Sequence, residues 1–261
     1  MPFDRTITKK SNGVNPLILV SNDDGYDSEG IQVLAQALRK IGRVVVVAPD
    51  RERSAASHAL TLHTPLRLKN IGTDIYAVSG TPTDCINLGI NGILKEMPNL
   101  IVSGINHGAN LGDDVHYSGT VSAALEGGIM GVPAIAISLV GRKNLFFEAA
   151  AKYAVKLSKI LIKQPLPKGI ILNVNVPNLP MSQIKGYEFT IQGKRHYGNI
   201  IVEKTDPGGR KYFWIAGGEA DFENIPNSDC NAIGADKISI TPLRVDATDE
   251  NSLKTLRKWK L

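Results

Sequence analysis

Leu17-Ile18-Leu19-Val20-Ser21-Asn22-Asp23-Asp24-Gly25 is the stretch that decides the fold. Four apolar residues in a row, entered after Pro16, read as a strand buried on both faces. The run ends in two adjacent carboxylates and a glycine. Gly30–Ile41 then repeats apolar residues at Ile31, Leu34, Ala35 and Leu38, which is a helical period. Arg43–Ala48, built on four valines, is a second strand, and Pro49 stops it. The alternation continues with a strand at Ile75–Val78, a helix at Thr83–Leu94 capped by Thr81 or Thr83, and a strand at Asn99–Ser103. An Ala-rich helix follows at Thr120–Met130, ended by Gly131–Pro133. A strand at Ala134–Leu139, a helix at Phe147–Ile162 and a strand at Ile170–Val176 complete the series.

Apolar strands alternating with helices imply βαβ crossovers and helices on both faces of the sheet. The predicted fold class is α/β, a three-layer sandwich with a mainly parallel Rossmann-like sheet. After Pro180 the pattern changes. Tyr187–Gln192, Ile200–Lys204 and Lys211–Ile215 read as β-hairpin material, with Gly208-Gly209 as a turn. Lys237–Thr241 is one more strand and Ser252–Lys260 a short terminal helix. The expected organisation is a flexible N-terminal extension at 1–15, an α/β catalytic core at 16–180, and a region at 181–261. That last region holds a C-terminal β-hairpin appendage suited to oligomerisation, a late core strand and the terminal helix.

Composition bounds the function. The 261 residues carry a net charge of +5 spread along the chain, with no long run of Lys or Arg. That excess suits a small anionic substrate, and without aromatic–basic interleaving a nucleic-acid surface is not expected. Two distant cysteines, Cys85 and Cys230, form no CxxC and read as buried thiols of a reducing compartment. No apolar run is long enough to span a membrane, and the first fifteen residues lack the apolar core of a signal peptide. The expected location is the cytoplasm.

Three loops concentrate the chemistry, each after the C-terminal end of a predicted parallel strand, the edge along which open α/β sheets bind ligands. Asp23 and Asp24 are too close to ionise together unless a cation neutralises them, and hard cations such as Mg²⁺ or Mn²⁺ take oxygen ligands. A polar turn capping the next helix would use the same residues. The stretch Ala48–Ser57 offers Ser54 as a metal oxygen and Arg51 and Arg53 as phosphate partners, or is a solvated charged loop. The third runs from Gly104 to Asp114, Gly-rich and polar, into Tyr117-Ser118-Gly119-Thr120 at the start of the Ala-rich helix. Ser118, Gly119 and Thr120 place hydroxyls and free N–H groups at a helix N-terminus, a site that favours phosphate. Asn106 and Asn110 offer neutral oxygens to a metal shell or a substrate. His107 and His116 flank this loop as alternative leaving-group acids, and the five histidines form no zinc pattern.

Asn22-Asp23-Asp24-Gly25, Pro49–Ser54, Ser103-Gly104-Ile105-Asn106 with Gly108, Asn110 and Gly112, and Tyr117-Ser118-Gly119-Thr120-Val121 together resemble the SurE (survival protein E) family. Leu172-Asn173-Val174-Asn175 with Pro177, and Ser239–Leu243, are similar to it too. The resemblance runs from about Leu17 to Leu243. It implies a metal held by Asp23, Asp24, Ser54 and Asn106, and hydrolysis of nucleoside 5′- and 3′-monophosphates, with short polyphosphate as a substrate of some members. It also implies a homodimer or homotetramer that exchanges C-terminal segments. The basic N-terminal extension departs from the family pattern, as does Asn227–Ala232, where the family commonly carries a Thr-Asp stretch.

The mechanism expected is attack by metal-activated water. Asp23 orients the water or takes its proton, while Asn110 and Ser118–Thr120 bind the remaining phosphate oxygens. A haloacid dehalogenase-type phosphatase needs its aspartates two residues apart, whereas these are adjacent. A nucleotide-binding module without catalysis is the other alternative, against which clustered carboxylates argue.

Overall fold

The computed structural model describes residues 15–141, 143–196, 199–217 and 221–260. Positions 1–14 of the expected N-terminal extension lie outside the described residues. The chain begins with β1 (Leu17–Ser21), α1 (Glu29–Leu38), β2 (Arg43–Pro49), β3 (Leu68–Gly72) and β4 (Ile75–Val78). It continues through α2 (Pro82–Leu88), β5 (Leu100–His107), α3 (Gly119–Ile129), β6 (Ala134–Val140), α4 (Phe147–Lys163) and β7 (Ile170–Pro177). Beyond them come β8 (Tyr187–Phe189), β9 (Arg195–His196), β10 (Asn199–Thr205), β11 (Lys211–Gly217) and β12 (Asp221–Phe222). The chain closes with α5 (Asp229–Gly234), β13 (Ile238–Arg244) and α6 (Glu250–Leu256).

The nine-stranded sheet has the order β3-β4-β2-β1-β5-β6-β7-β13-β8. From β4 to β7 every neighbouring pair is parallel, while β3 and β13 run antiparallel to their inner neighbours. The period-two alternation of each strand sorts its side chains between two cores. Ile18, Val20, Val44, Val46, Leu100 and Val102 pack with α1 and α4 on one face. Leu17, Leu19, Val45, Val47 and Ile101 pack with α2 and α3 on the other. Both faces being covered is why these strands read as unbroken apolar runs. Burial of one such Val, Leu or Ile contributes about 1.5–3 kcal/mol.

Several elements differ from the sequence expectation. Tyr187–Gln192 is not hairpin material: β8 pairs parallel with β13 at the sheet edge. The predicted hairpin itself forms between β10 and β11, antiparallel throughout. β3 went unpredicted because all five of its residues are exposed, and an edge strand without a buried face leaves no apolar period. Thr81 is the N-cap of α2, in a capping box with Asp84, and α2 loosens into a wider turn at Gly89–Ile93. Among the described residues no helix is long and apolar enough to cross a membrane.

The connection after β1 leads through α1 to β2 on one side, and the chain later returns to β5 on the other. The strand order therefore reverses between β1 and β5, and open α/β sheets bind ligands in the crevice at the C-terminal ends of such strands.

Candidate active site

Asp23 and Asp24 leave β1 on a turn that its own side chains staple. Asn22 Nδ2 donates to the Gly25 carbonyl at 2.9 Å and to Ser28 Oγ at 2.8 Å. Gly25 sits at φ +104°, a conformation that a side chain would strain. Asn22 was legible as part of the motif but not in this stapling role.

The carboxyl of Asp23 faces the first turn of α3. Thr120, fully buried, donates its hydroxyl to Asp23 Oδ1, and the same oxygen of Thr120 lies 3.3 Å from Asn106 Oδ1. Asn106 Nδ2 donates to the Gly108 carbonyl at 3.0 Å, which leaves its Oδ1 on the Asp23 side. Gly119 makes the close approach possible: a Cβ there would lie 2.8 Å from Asp23 Cβ and 3.0 Å from its Oδ2. Asp24 accepts from the His107 backbone N–H at 3.2 Å. The Arg53 N–H donates to the Asp23 carbonyl at 2.7 Å and ties the Ser54 loop to the end of β1, while the exposed Ser54 donates its hydroxyl to Glu52 Oε1 at 2.7 Å. Asp23, Asp24, Asn106, Thr120 and the Ser54 loop thus meet at the crevice.

Burial pushes the Asp23 carboxyl up to about 6, against the Thr120 hydroxyl, which lowers it, and with the Asp24 charge, which raises it further. Burial also raises Asp24, partly offset by His107. At both carboxyls burial outweighs the groups that favour the charged form, and a bound cation would offset that cost. Among the described residues no three His, Cys, Asp or Glu side chains gather as a metal site. The donors offered here are hard oxygens, two carboxylates, a serine hydroxyl and an asparagine amide oxygen, which fit a cation of the Mg²⁺ or Mn²⁺ kind.

Ser118 caps α3 by accepting the Val121 N–H at 3.1 Å, which leaves its own hydroxyl proton to donate. Thr120 directs its hydroxyl at Asp23, so its role is to fix that carboxyl. Asn110 belongs to a separate buried knot. Its Nδ2 donates to Ser138 Oγ at 2.8 Å, and its backbone is held by Asn173 and Asn175. No hydrogen bond among the described residues ties Asn110 to Asp23, Asp24 or Asn106. Asp229, fully buried, accepts from the Gly112 N–H at 2.9 Å and so pins the glycine-rich loop to α5. Of these supports, the sequence pointed to Asn173 and Asn175 only, through the likeness of Leu172–Asn175 to the family motif.

Arg53 donates to the Ser79 carbonyl at 2.9 Å and anchors its loop, while Arg51 is exposed. The His107 ring packs on Phe147, with centroids 5.1 Å apart. Cys85 is buried and its thiol is held well above the usual range, chiefly by desolvation.

A mainly parallel α/β sheet with helices on both faces, and with paired carboxylates, an amide oxygen and a helix N-terminus at its switch point, defines the class: a doubly wound α/β protein with its polar groups gathered at the C-terminal ends of the strands. The chain belongs to the SurE family, for the family model described as Survival protein SurE matches residues 18–199. It is 54% identical over 245 residues to the 5′-nucleotidase SurE of Geobacter sulfurreducens, covering 94% of each chain. It is 53% identical over 246 residues to that of Myxococcus xanthus, covering 94% of this chain and 93% of the other. The crystal structure of the SurE protein from Aquifex aeolicus superposes with a TM-score of 0.82 at 46% identity, over 93% of this chain and all of that one.

Proposed function

We propose that this chain is a metal-dependent phosphomonoesterase that hydrolyses nucleoside 5′-monophosphates, and also 3′-monophosphates, to nucleoside and phosphate. The enzyme class rests on relatives named 5′-nucleotidase SurE, which match it over most of both chains. The observation that carries the metal dependence is the Asp23–Asp24 pair, raised by burial and set against Asn106, Thr120 and the Ser54 loop.

Asp23, Asp24, Ser54 and Asn106 would hold Mg²⁺ or Mn²⁺. Once bound, such a cation supplies positive charge to a phosphoryl oxygen and acidifies a water molecule. Asp23, held by Thr120, orients the attacking water and takes its proton. The Gly119 N–H at the start of α3 and the Ser118 hydroxyl hold phosphoryl oxygens and stabilise the charge that grows in transfer. Asn110 offers its second amide hydrogen to the same group, since Ser138 takes only one.

Short polyphosphate is a second substrate in this proposal, and the working form is a homodimer or homotetramer. The hairpin exposes apolar side chains on both faces, Phe213 and Ile215 on one and Trp214 on the other, and this supports association. The cytoplasmic location is supported by two buried free thiols. Phosphate release from 5′-AMP and 3′-AMP, with Mn²⁺, with Mg²⁺ and with chelator, tests the proposal. Release in the presence of either ion and none with chelator is expected; release unaffected by chelator would remove the metal from the account.

A further inference from the structure

One of the four proposed metal donors rides on an irregular loop. Residues 50–67 join β2 to β3 without regular structure, and Leu60 and Leu62 on it are exposed. Directly after Ser54, Ala55 and Ser57 adopt φ of +57° and +51°. Side chains in that left-handed region are strained, and persist where the surroundings hold them.

What holds them is α3. The Ser57 N–H donates to the Tyr117 carbonyl at 3.1 Å, just before that helix. His58 Nε2 lies 2.9 Å from Glu126 Oε2, well inside the helix. Glu126 is only 6% exposed, and its other oxygen accepts from Asn87 of α2 at 3.2 Å. Its one ion-pair partner among the described residues is His58. A buried carboxylate on a helix is expensive, and an apolar residue there would serve packing better. The same helix sets Gly119 and Thr120 against Asp23 at its start. Thr120 and Glu126 are six residues apart, about 9 Å along a rigid rod.

We propose that Glu126 and His58 are positioning residues that place Ser54 relative to Asp23, with α3 as the common gauge. One end of the helix touches the carboxylate and the middle of it grips the loop. Asp84 of α2 adds a later anchor, accepting from the Thr61 N–H at 2.9 Å and from its hydroxyl at 2.6 Å. The inference rests on Ser54 being a metal donor, as proposed above, and assigns a role to residues outside that donor set.

The test is Mn²⁺ binding followed by electron paramagnetic resonance, in wild type, His58→Ala, His58→Gln and Glu126→Gln. His58→Ala is expected to weaken Mn²⁺ by about tenfold, the lower end of what outer partners of metal ligands contribute. Proteolytic cleavage within residues 50–67 should quicken in parallel. His58→Gln, whose amide can donate from nearly the same place, should recover most of the affinity. Glu126→Gln should weaken binding in the same direction, by less. Unchanged Mn²⁺ affinity in His58→Ala and Glu126→Gln overturns the proposal, and so does a His58→Gln variant as defective as the alanine. A wild type that binds Mn²⁺ with this His58 dependence but releases no phosphate from nucleotides would support the clamp and sink the nucleotidase reading.

Discussion

Substituting Gly119→Ala adds one methyl group at the point where α3 meets Asp23. The new Cβ would stand 2.8 Å from Asp23 Cβ, 3.0 Å from Asp23 Oδ2 and 3.0 Å from Pro82 Cγ. Ordinary contact starts near 3.4 Å, so Asp23 or the helix must move by about 0.6 Å. Overpacking of this kind costs roughly 1–3 kcal/mol, while replacing a helical glycine with alanine returns up to about 1 kcal/mol. The net loss of stability is then about 1 kcal/mol, a few degrees in Tm. Activity should suffer far more, because a catalytic group misplaced by about 1 Å costs on the order of a hundredfold. Steady-state phosphate release from 5′-AMP with Mn²⁺, alongside a thermal melt, separates the two effects. A variant that melts like wild type and turns over within about threefold of it would refute the close-approach argument, since a displaced Asp23 is worth about 2–3 kcal/mol in the barrier.

Other outcomes follow from the same contacts. Asp84→Ala strands the Thr61 and Thr81 donors and removes the capping box of α2, so denaturant unfolding should show a loss of about 3 kcal/mol. Glu126 is held below its ordinary 4.5, first by the His58 hydrogen bond and against desolvation. Its contribution is present above 4.5 and is lost as pH falls through the lower folded value. Urea midpoints of wild type should therefore drop toward those of Glu126→Gln in acid; parallel curves at every pH would contradict this. Replacing the exposed hairpin residues, Phe213→Ser with Trp214→Ser, should reduce the mass measured by light scattering, and an unchanged mass would free the hairpin of any role in assembly.

The sheet was legible because strands buried on both faces carry uninterrupted apolar runs, as Leu17–Val20 and Val44–Val47 do. β3 was not, since its residues face water on the sheet edge, and neither was α5, six residues long and set by the Ser228 cap rather than by periodicity. β8 misled because a short strand with a mixed pattern does not say which neighbour it will pair with. The positions around the crevice followed from motifs that sit directly after strands, where chain direction alone brings them to one edge. Their supports did not. Glu126 and His58 are 68 residues apart, and Asp229 and Gly112 are 117 apart, so nothing local marks either pair. Asn110 shows the opposite limit: its place in the motif was plain, but its engagement with Ser138, Asn173 and Asn175 depends on strands whose register only the folded sheet fixes.

The most direct measurement is an anomalous difference map from a crystal soaked in manganese. The account predicts one strong peak within bonding distance of Asp23 and Asp24, with Asn106 and Ser54 completing its protein oxygens, and no such peak in Asp23→Asn. A map with the two carboxyls turned apart and nothing seated between them and Asn106 would contradict it.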